Sequence, residues 1–242
     1  MASVFAYVLS AVLGYIFGSF PTGYFAGKLW NVDVRKHGSG RTGGTNVLRT
    51  AGWRAFAITV VGDILKGMAP VIASRLLFPD LHVAHGLAMW GVLIGHNWSI
   101  WIAALAKPNS PSSSALPPSG WIHQIAARGR GGAGVAPTTG AALALFPPAV
   151  LLIAPVAILV LIVTRYASVA SLTAASLFPI VILFFAFEGT APWSYFVLSI
   201  VIAVTIILVH IPNIRRLRSG TERRFGHRVE ERSRDSRPSG DV

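Results

Sequence analysis

Long apolar runs alternate along this chain with short segments rich in glycine and arginine. By hydropathy they predict an all-α fold of about seven membrane-crossing spans. The first runs are Val4–Leu29, Ala55–Phe78 and Val83–Leu105. The stretch Gly134–Thr164 exceeds the ~20 residues that cross hydrocarbon, and Pro147-Pro148 divides it, because proline ends or kinks helices. This gives a short fourth span, Gly134–Phe146, and a fifth, Ala149–Thr164. Ala167–Phe187 and Trp193–Ile211 complete the set. The fourth is short enough to be re-entrant instead. The opening run has no basic segment ahead of it and continues through Pro21, so it reads as a retained span and not a cleaved signal.

Composition agrees. The chain is 53% hydrophobic and 12% charged, with a mean hydropathy of +0.59; soluble domains carry about 25% charged residues. Residues 1–217 read as one polytopic membrane domain with a flexible Pro/Ser-rich insertion at 107–120. Residues 218–242 read as a basic, disordered cytoplasmic tail. The net charge of +12 lies between and after apolar runs. That placement points to anionic headgroups and topology rather than nucleic acid. With the N-terminus outside and the C-terminus cytoplasmic, Lys28, Arg35, Lys36, Arg41, Arg49, Arg54, Lys107, Arg128, Arg130, Arg165 and the Arg-rich tail fall inside. The outside loops hold only Asp80 and Glu188, and Arg75 can snorkel from the outer end of its span. Cysteine is absent, which excludes disulfides and thiolate chemistry, and no metal-binding cluster is seen.

Three basic segments emerge on the same side. In Gly38–Arg49, four glycines free the backbone to bring N–H groups to a ligand. Ser39, Gly40, Thr45 and Asn46 offer donors for phosphoryl oxygens, and Arg41 and Arg49 offer charge. No Gly-Lys-Ser/Thr ends the loop, so it is not a Walker loop, and a plain polar turn is the bland alternative. Arg128–Gly140 sets Arg130, Gly131, Gly132 and Gly134 at the start of a helical span, where unpaired N–H groups suit an anion; tight helix packing is the alternative. His210–Glu222 places His210 and Asn213 on one helix face if the helix continues, with a basic surface anchor as the alternative. Inside the second span, Asp63 and Lys66 read as a structural ion pair. His96 reads as interfacial, and Trp98 and Trp101 as an aromatic belt.

Taken together, GSGRTGGTNVLRTAG (38–52), DILKG (63–67), GHNW (95–98), RGGAGVAPTTG (130–140) and HIPNIRRLRSGTE (210–222) resemble the bacterial acyl-phosphate:glycerol-3-phosphate acyltransferases. The order and spacing match over nearly the whole chain. The resemblance implies a seven-span enzyme of the bacterial plasma membrane, with its site on the cytoplasmic side and no cofactor. It implies acyl transfer from a fatty acyl phosphate to the 1-hydroxyl of glycerol 3-phosphate, opening phospholipid synthesis, with membrane lipids as surroundings. On the family's motifs fall Ser39, Thr45, Asn46 and Arg49 in the first loop, associated with phosphate binding, Gly131, Gly132 and Gly134 in the second, and His210, Asn213 and Glu222 in the third. With the residues' own chemistry added, Ser39, Arg49, His210 and Asn213 are expected to be catalytic, and Gly40, Arg41, Thr45, Asn46, Arg130, Gly131, Gly132, Gly134 and Glu222 to bind substrate or phosphate.

Three departures stand out. The family's loop lysine is Ala133, the asparagine after Gly-Ser-Gly is Arg41, and Ser99 replaces a proline ahead of some twenty extra residues. Arg41, Arg130 or Arg128 is the expected replacement for the missing cation. The His-x4-Asp pair of acyl-CoA-type acyltransferases is absent. The rivals are a catalytically weak lipid- or phosphate-binding homologue and a phospho-metabolite transporter.

Overall fold

Breaks between helices coincide with residues that cannot continue them. The computed structural model describes residues 2–105, 129 and 131–226. Helix α1 (Ala2–Ser19) stops before Pro21, and α2 (Thr22–Lys28) resumes after it. A short 3-10 turn, Val34–Lys36, precedes α3 (Gly44–Leu77), which starts well ahead of the predicted span because Gly44–Ala51 is already helical. Gly52, at φ 86° and ψ −177°, breaks α3 there, a conformation open to glycine alone. Helix α4 (His82–Asn97) gives way at Trp98 to α5 (Ile100–Ala104), whose N-cap Ser99 accepts from Ile102 N at 3.2 Å. Thus the predicted first and third spans are each broken. Helix α6 (Val135–Leu145) and α7 (Pro147–Thr164) meet at Phe146, where Pro147 opens the second helix. Helices α8 (Ala167–Phe187), α9 (Trp193–Val209) and α10 (Ile211–Arg218) follow.

Among the described residues every element is helical. Four helical segments are long and apolar enough to cross a membrane: α1 with α2, α3, α7 and α8. The pair α9 and α10, bent by 53°, brings the number to five when counted as one broken span. Helix α4, with 16 residues, and α6, with 11, fall short of the ~20 that a straight crossing takes.

Close backbone approach replaces side-chain bulk at the key contacts. A methyl group at Gly14 or Gly18 of α1 would strike the α4 backbone at Ala88 or Val92. One at Gly91 or Gly95 of α4 would strike α1 at Ala11 or Tyr15. Helices α3 and α6 meet the same way through Gly67 and Gly140. Small residues serve this purpose where lipid removes the hydrophobic drive between helices. The apolar core gathers Met89, Leu93, Ala141, Leu145, Ile182 and Ile202. Leu151, Leu152, Leu159, Ile162 and Val163 of α7 stay exposed, a surface fit for hydrocarbon.

The start of the predicted tail is packed. Phe225 N donates to Arg165 O at 2.7 Å, and its ring meets Trp53 and Phe56 edge-on. Residues 227–242, the insertion at 107–120, Lys107, Arg128 and Arg130 lie outside the described residues.

Candidate active site

The first basic segment is a braced loop. Its organiser is Asn46, on the first turn of α3 and buried. The Asn46 Nδ2 group donates to Val34 O (2.9 Å), His37 O (3.2 Å) and Arg41 O (2.8 Å), while Oδ1 accepts from Ser39 N at 2.9 Å. One amide therefore ties four points of the loop. The structure spends the Asn46 donors inside the loop, where the sequence had suggested phosphoryl oxygens. Ser39 stands exposed between Gly38 (φ 62°) and Gly40 (φ 70°). Thr45 lies half-buried at the helix start.

Arg49, one turn further on, is buried, and among the described residues its guanidinium has no hydrogen bond or ion pair. The charges of Arg223, Glu222 and Arg216 act on it. A buried guanidinium without a carboxylate partner is expensive to hold, and such arrangements mark sites for anions.

The second glycine segment lies directly on the first. A methyl group at Gly43, the N-cap of α3, would come within 2.8 Å of Gly132 Cα and 3.6 Å of Ala133 N. Gly134, at φ 81°, is the N-cap of α6. Two helix N-termini, each with unpaired N–H groups and a positive dipole end, thus start from one seam of backbone. The seam is pinned to α4: Gly131 N donates to Asn97 O at 3.2 Å and Ser99 N to Gly129 O at 2.9 Å. Gly131, Gly132 and Gly134 are therefore together with the first loop; Arg130 is not among the described residues.

The third segment is held by Glu222. Its Oε1 accepts from Asn213 Nδ2 (2.8 Å) and Ser168 Oγ (2.9 Å), and its Oε2 from Arg216 Nε at 2.7 Å. Glu222 thus orients Asn213 and ties α8 to α10, and its own oxygens are already occupied. Ser168 was not singled out in the sequence, since nothing near it marks it until Glu222 folds back. His210, the cap between α9 and α10, is buried, and its Nδ1 lies 2.8 Å from Ile206 O. The charges of Arg41 and Glu222 reach His210, and that of Arg41 reaches His96 as well.

Burial pushes the Glu222 carboxyl up, but the hydrogen bonds from Asn213, Arg216 and Ser168 outweigh it and hold its pKa below the ordinary value. A depressed carboxylate contributes stability above its unfolded pKa and loses it as pH falls through the folded one. The wild type is therefore expected to lose thermal stability as pH drops below about 4, and Glu222→Gln to lose less over the same range. Melting temperature followed from neutral to acid pH checks this.

A family model described as glycerol-3-phosphate acyltransferase matches residues 8–105 and 115–220. The chain belongs to the glycerol-3-phosphate acyltransferase family. A family member from Symbiobacterium thermophilum is 37% identical over 224 residues, covering 92% of this chain and 96% of its own. One from Alkaliphilus metalliredigens is 34% identical over 224 residues, covering 92% and 97%. The crystal structure of PlsY (YgiH), an integral membrane glycerol 3-phosphate acyltransferase in its glycerol 3-phosphate form, superposes with a TM-score of 0.71. It is 28% identical and covers 93% of this chain and 96% of its own. Its lysophosphatidic acid form superposes with a TM-score of 0.69. The match spans all three segments of the site, so this family's fold is what brings them together.

Proposed function

We propose that this chain transfers an acyl group from a fatty acyl phosphate to the 1-hydroxyl of glycerol 3-phosphate, giving lysophosphatidic acid and phosphate. The setting is the bacterial plasma membrane, with about seven membrane-crossing spans, the N-terminus outside and the site on the cytoplasmic side. The asymmetry of Lys and Arg along the sequence supports that orientation. The observation that carries the reading is Arg49: a buried cation without an ion pair among the described residues, one and a half helical turns from the seam of two glycine loops.

In this reading Arg49, Arg41, Arg130 and the amides around Gly40, Gly131, Gly132 and Gly134 hold phosphate groups. Ser39 and Thr45 orient oxygen atoms. The glycerol hydroxyl attacks the acyl carbonyl carbon, the bond from that carbon to the phosphate oxygen breaks, and phosphate leaves. Acyl phosphate is already activated, so positioning and charge stabilisation are the main requirements. The proton goes to a base, and His210 is suited to the task. A carbonyl only accepts, so His210 Nδ1 carries the hydrogen that Ile206 O receives, leaving Nε2 as an acceptor. Asn213, oriented by Glu222, stands one turn beyond. The acyl chain lies along the apolar helix surfaces.

Purified protein given palmitoyl phosphate and labelled glycerol 3-phosphate tests this. Labelled lysophosphatidic acid that forms only with acyl phosphate supports the enzyme. Glycerol 3-phosphate binding without turnover supports the weak homologue that Ala133 suggests, and counter-flow in liposomes without product supports a transporter.

We assign Arg41, two residues before the Gly43 that lies against Gly132 and Ala133, as the cation that replaces the one missing at Ala133. Arg41→Asn is expected to raise the KM for glycerol 3-phosphate by about 10-fold, the scale of a lost hydrogen bond to a charged group. Adding Ala133→Lys is expected to restore most of it. Initial-rate kinetics on the single and double variants check both.

A further inference from the structure

Asp63, Lys66 and His96 form a buried polar cluster that the acyl-transfer reading leaves unused. The Lys66 ammonium meets three neighbours: Phe20 O at 2.6 Å, Asp63 Oδ1 at 2.8 Å and His96 Nδ1 at 3.0 Å. The first exists because the chain breaks at Pro21: Tyr24 N turns to Pro21 O, and Phe20 O, which accepts from Thr22 N at 3.0 Å, accepts from Lys66 as well. An ammonium has three hydrogens and no lone pair, so His96 Nδ1 is the acceptor. The neutral ring then carries its hydrogen on Nε2.

That Nε2 lies against Gly132; a methyl group there would strike it, and would also come within 2.6 Å of Gly43 Cα. The donor is thus presented to the seam between the two glycine loops. Lys66 makes this geometry one-sided, since its ammonium prevents the ring from taking the other tautomer. Asp63 balances the Lys66 charge inside the span, where an unpaired charge costs several kcal/mol. Plain helix packing needs none of these charges, and apolar residues of similar volume hold helices as well or better.

We infer that His96 contacts the substrate phosphate, donating from Nε2 at the Gly43–Gly132 seam, and that Lys66 and Asp63 are positioning residues that act through it by fixing the ring's tautomer. The inference rests on the proposed function, whose phosphate monoester is the ligand.

Full-length protein in detergent, assayed with palmitoyl phosphate and labelled glycerol 3-phosphate, tests it, with melting temperature followed in parallel. His96→Leu is expected to raise the KM for glycerol 3-phosphate by about 10-fold or more. His96→Gln, whose amide N–H reaches toward the place of Nε2, is expected to stay within about 3-fold of wild type. The charge-balanced double variant Asp63→Asn/Lys66→Met is expected to raise the same KM about as much as His96→Leu while the KM for acyl phosphate holds. In ¹⁵N NMR, wild-type His96 is expected to show the Nε2–H tautomer and to shift when glycerol 3-phosphate is added without acyl phosphate.

A KM for glycerol 3-phosphate unchanged in both His96→Leu and the double variant, with only the melting temperature lowered, overturns the inference: the cluster is then packing alone. If those variants do not fold, the wild-type titration decides, and saturation with glycerol 3-phosphate without a His96 response overturns it. A wild type that binds glycerol 3-phosphate but turns nothing over fails the proposed function, and the His96 response is still read in the same titration.

Discussion

Arg49→Ala is expected to lower kcat/KM for glycerol 3-phosphate by about 10²–10³-fold, the scale seen when a preorganised charge is removed from a reacting group. The protein is expected to stay folded, because among the described residues the guanidinium makes no hydrogen bond or ion pair whose loss would weaken the helix. Removing a buried, unpartnered cation takes away an electrostatic cost, so the melting temperature should hold or rise. Opposite movement of activity and stability is the signature of a residue kept for its ligand. Arg49→Lys is expected to recover only part of the loss, since a point charge cannot hold phosphate through two parallel bonds. Initial rates with palmitoyl phosphate, beside melting curves, check both. Wild-type kinetics in Arg49→Ala would remove the observation on which the function rests.

Gly132→Ala is expected to be nearly as severe, for a different reason. Its added methyl would meet Gly43 Cα at 2.6 Å and Gly43 N at 3.1 Å, and would strike His96 Nε2. Two of these neighbours are backbone, so the loops must move apart. Misplacement by about 1 Å at a positioned site costs on the order of 10²-fold in rate. Gly43→Ala is expected to give the same defect from the other side, because its methyl would meet Gly132 Cα at 2.8 Å. Normal turnover in both variants, with both folded, would mean that the seam takes no part in the reaction.

Part of this was legible along the chain. The helical class, the division before Pro147 and the three basic segments follow from local chemistry: apolar runs, proline and glycine. The helical start at Gly44 was not, because Gly-Gly-Thr reads as a loop until Asn46 turns its amide back on Val34, His37 and Arg41. Asn46 and Glu222 were marked as ligand-binding residues. Their partners show them holding other parts of the site, since a side chain's donors and acceptors are assigned by whatever lies nearest in space. A lone histidine at a helix end carries no signal, and only the approach of Lys66 and Gly132 gives His96 a direction. Ser168 went unread for the same reason.

The residue order alone determined that this is a chain of apolar helices with its glycine, hydroxyl and cation chemistry in three separated segments, because hydropathy and backbone freedom are properties of each stretch by itself. Only the tertiary structure decided that Gly43 lies on Gly132 and that His96 Nε2 lies against the same glycine. It also decided which polar groups keep a free face, because hydrogen bonds and charges act over a few ångströms whatever the distance along the chain.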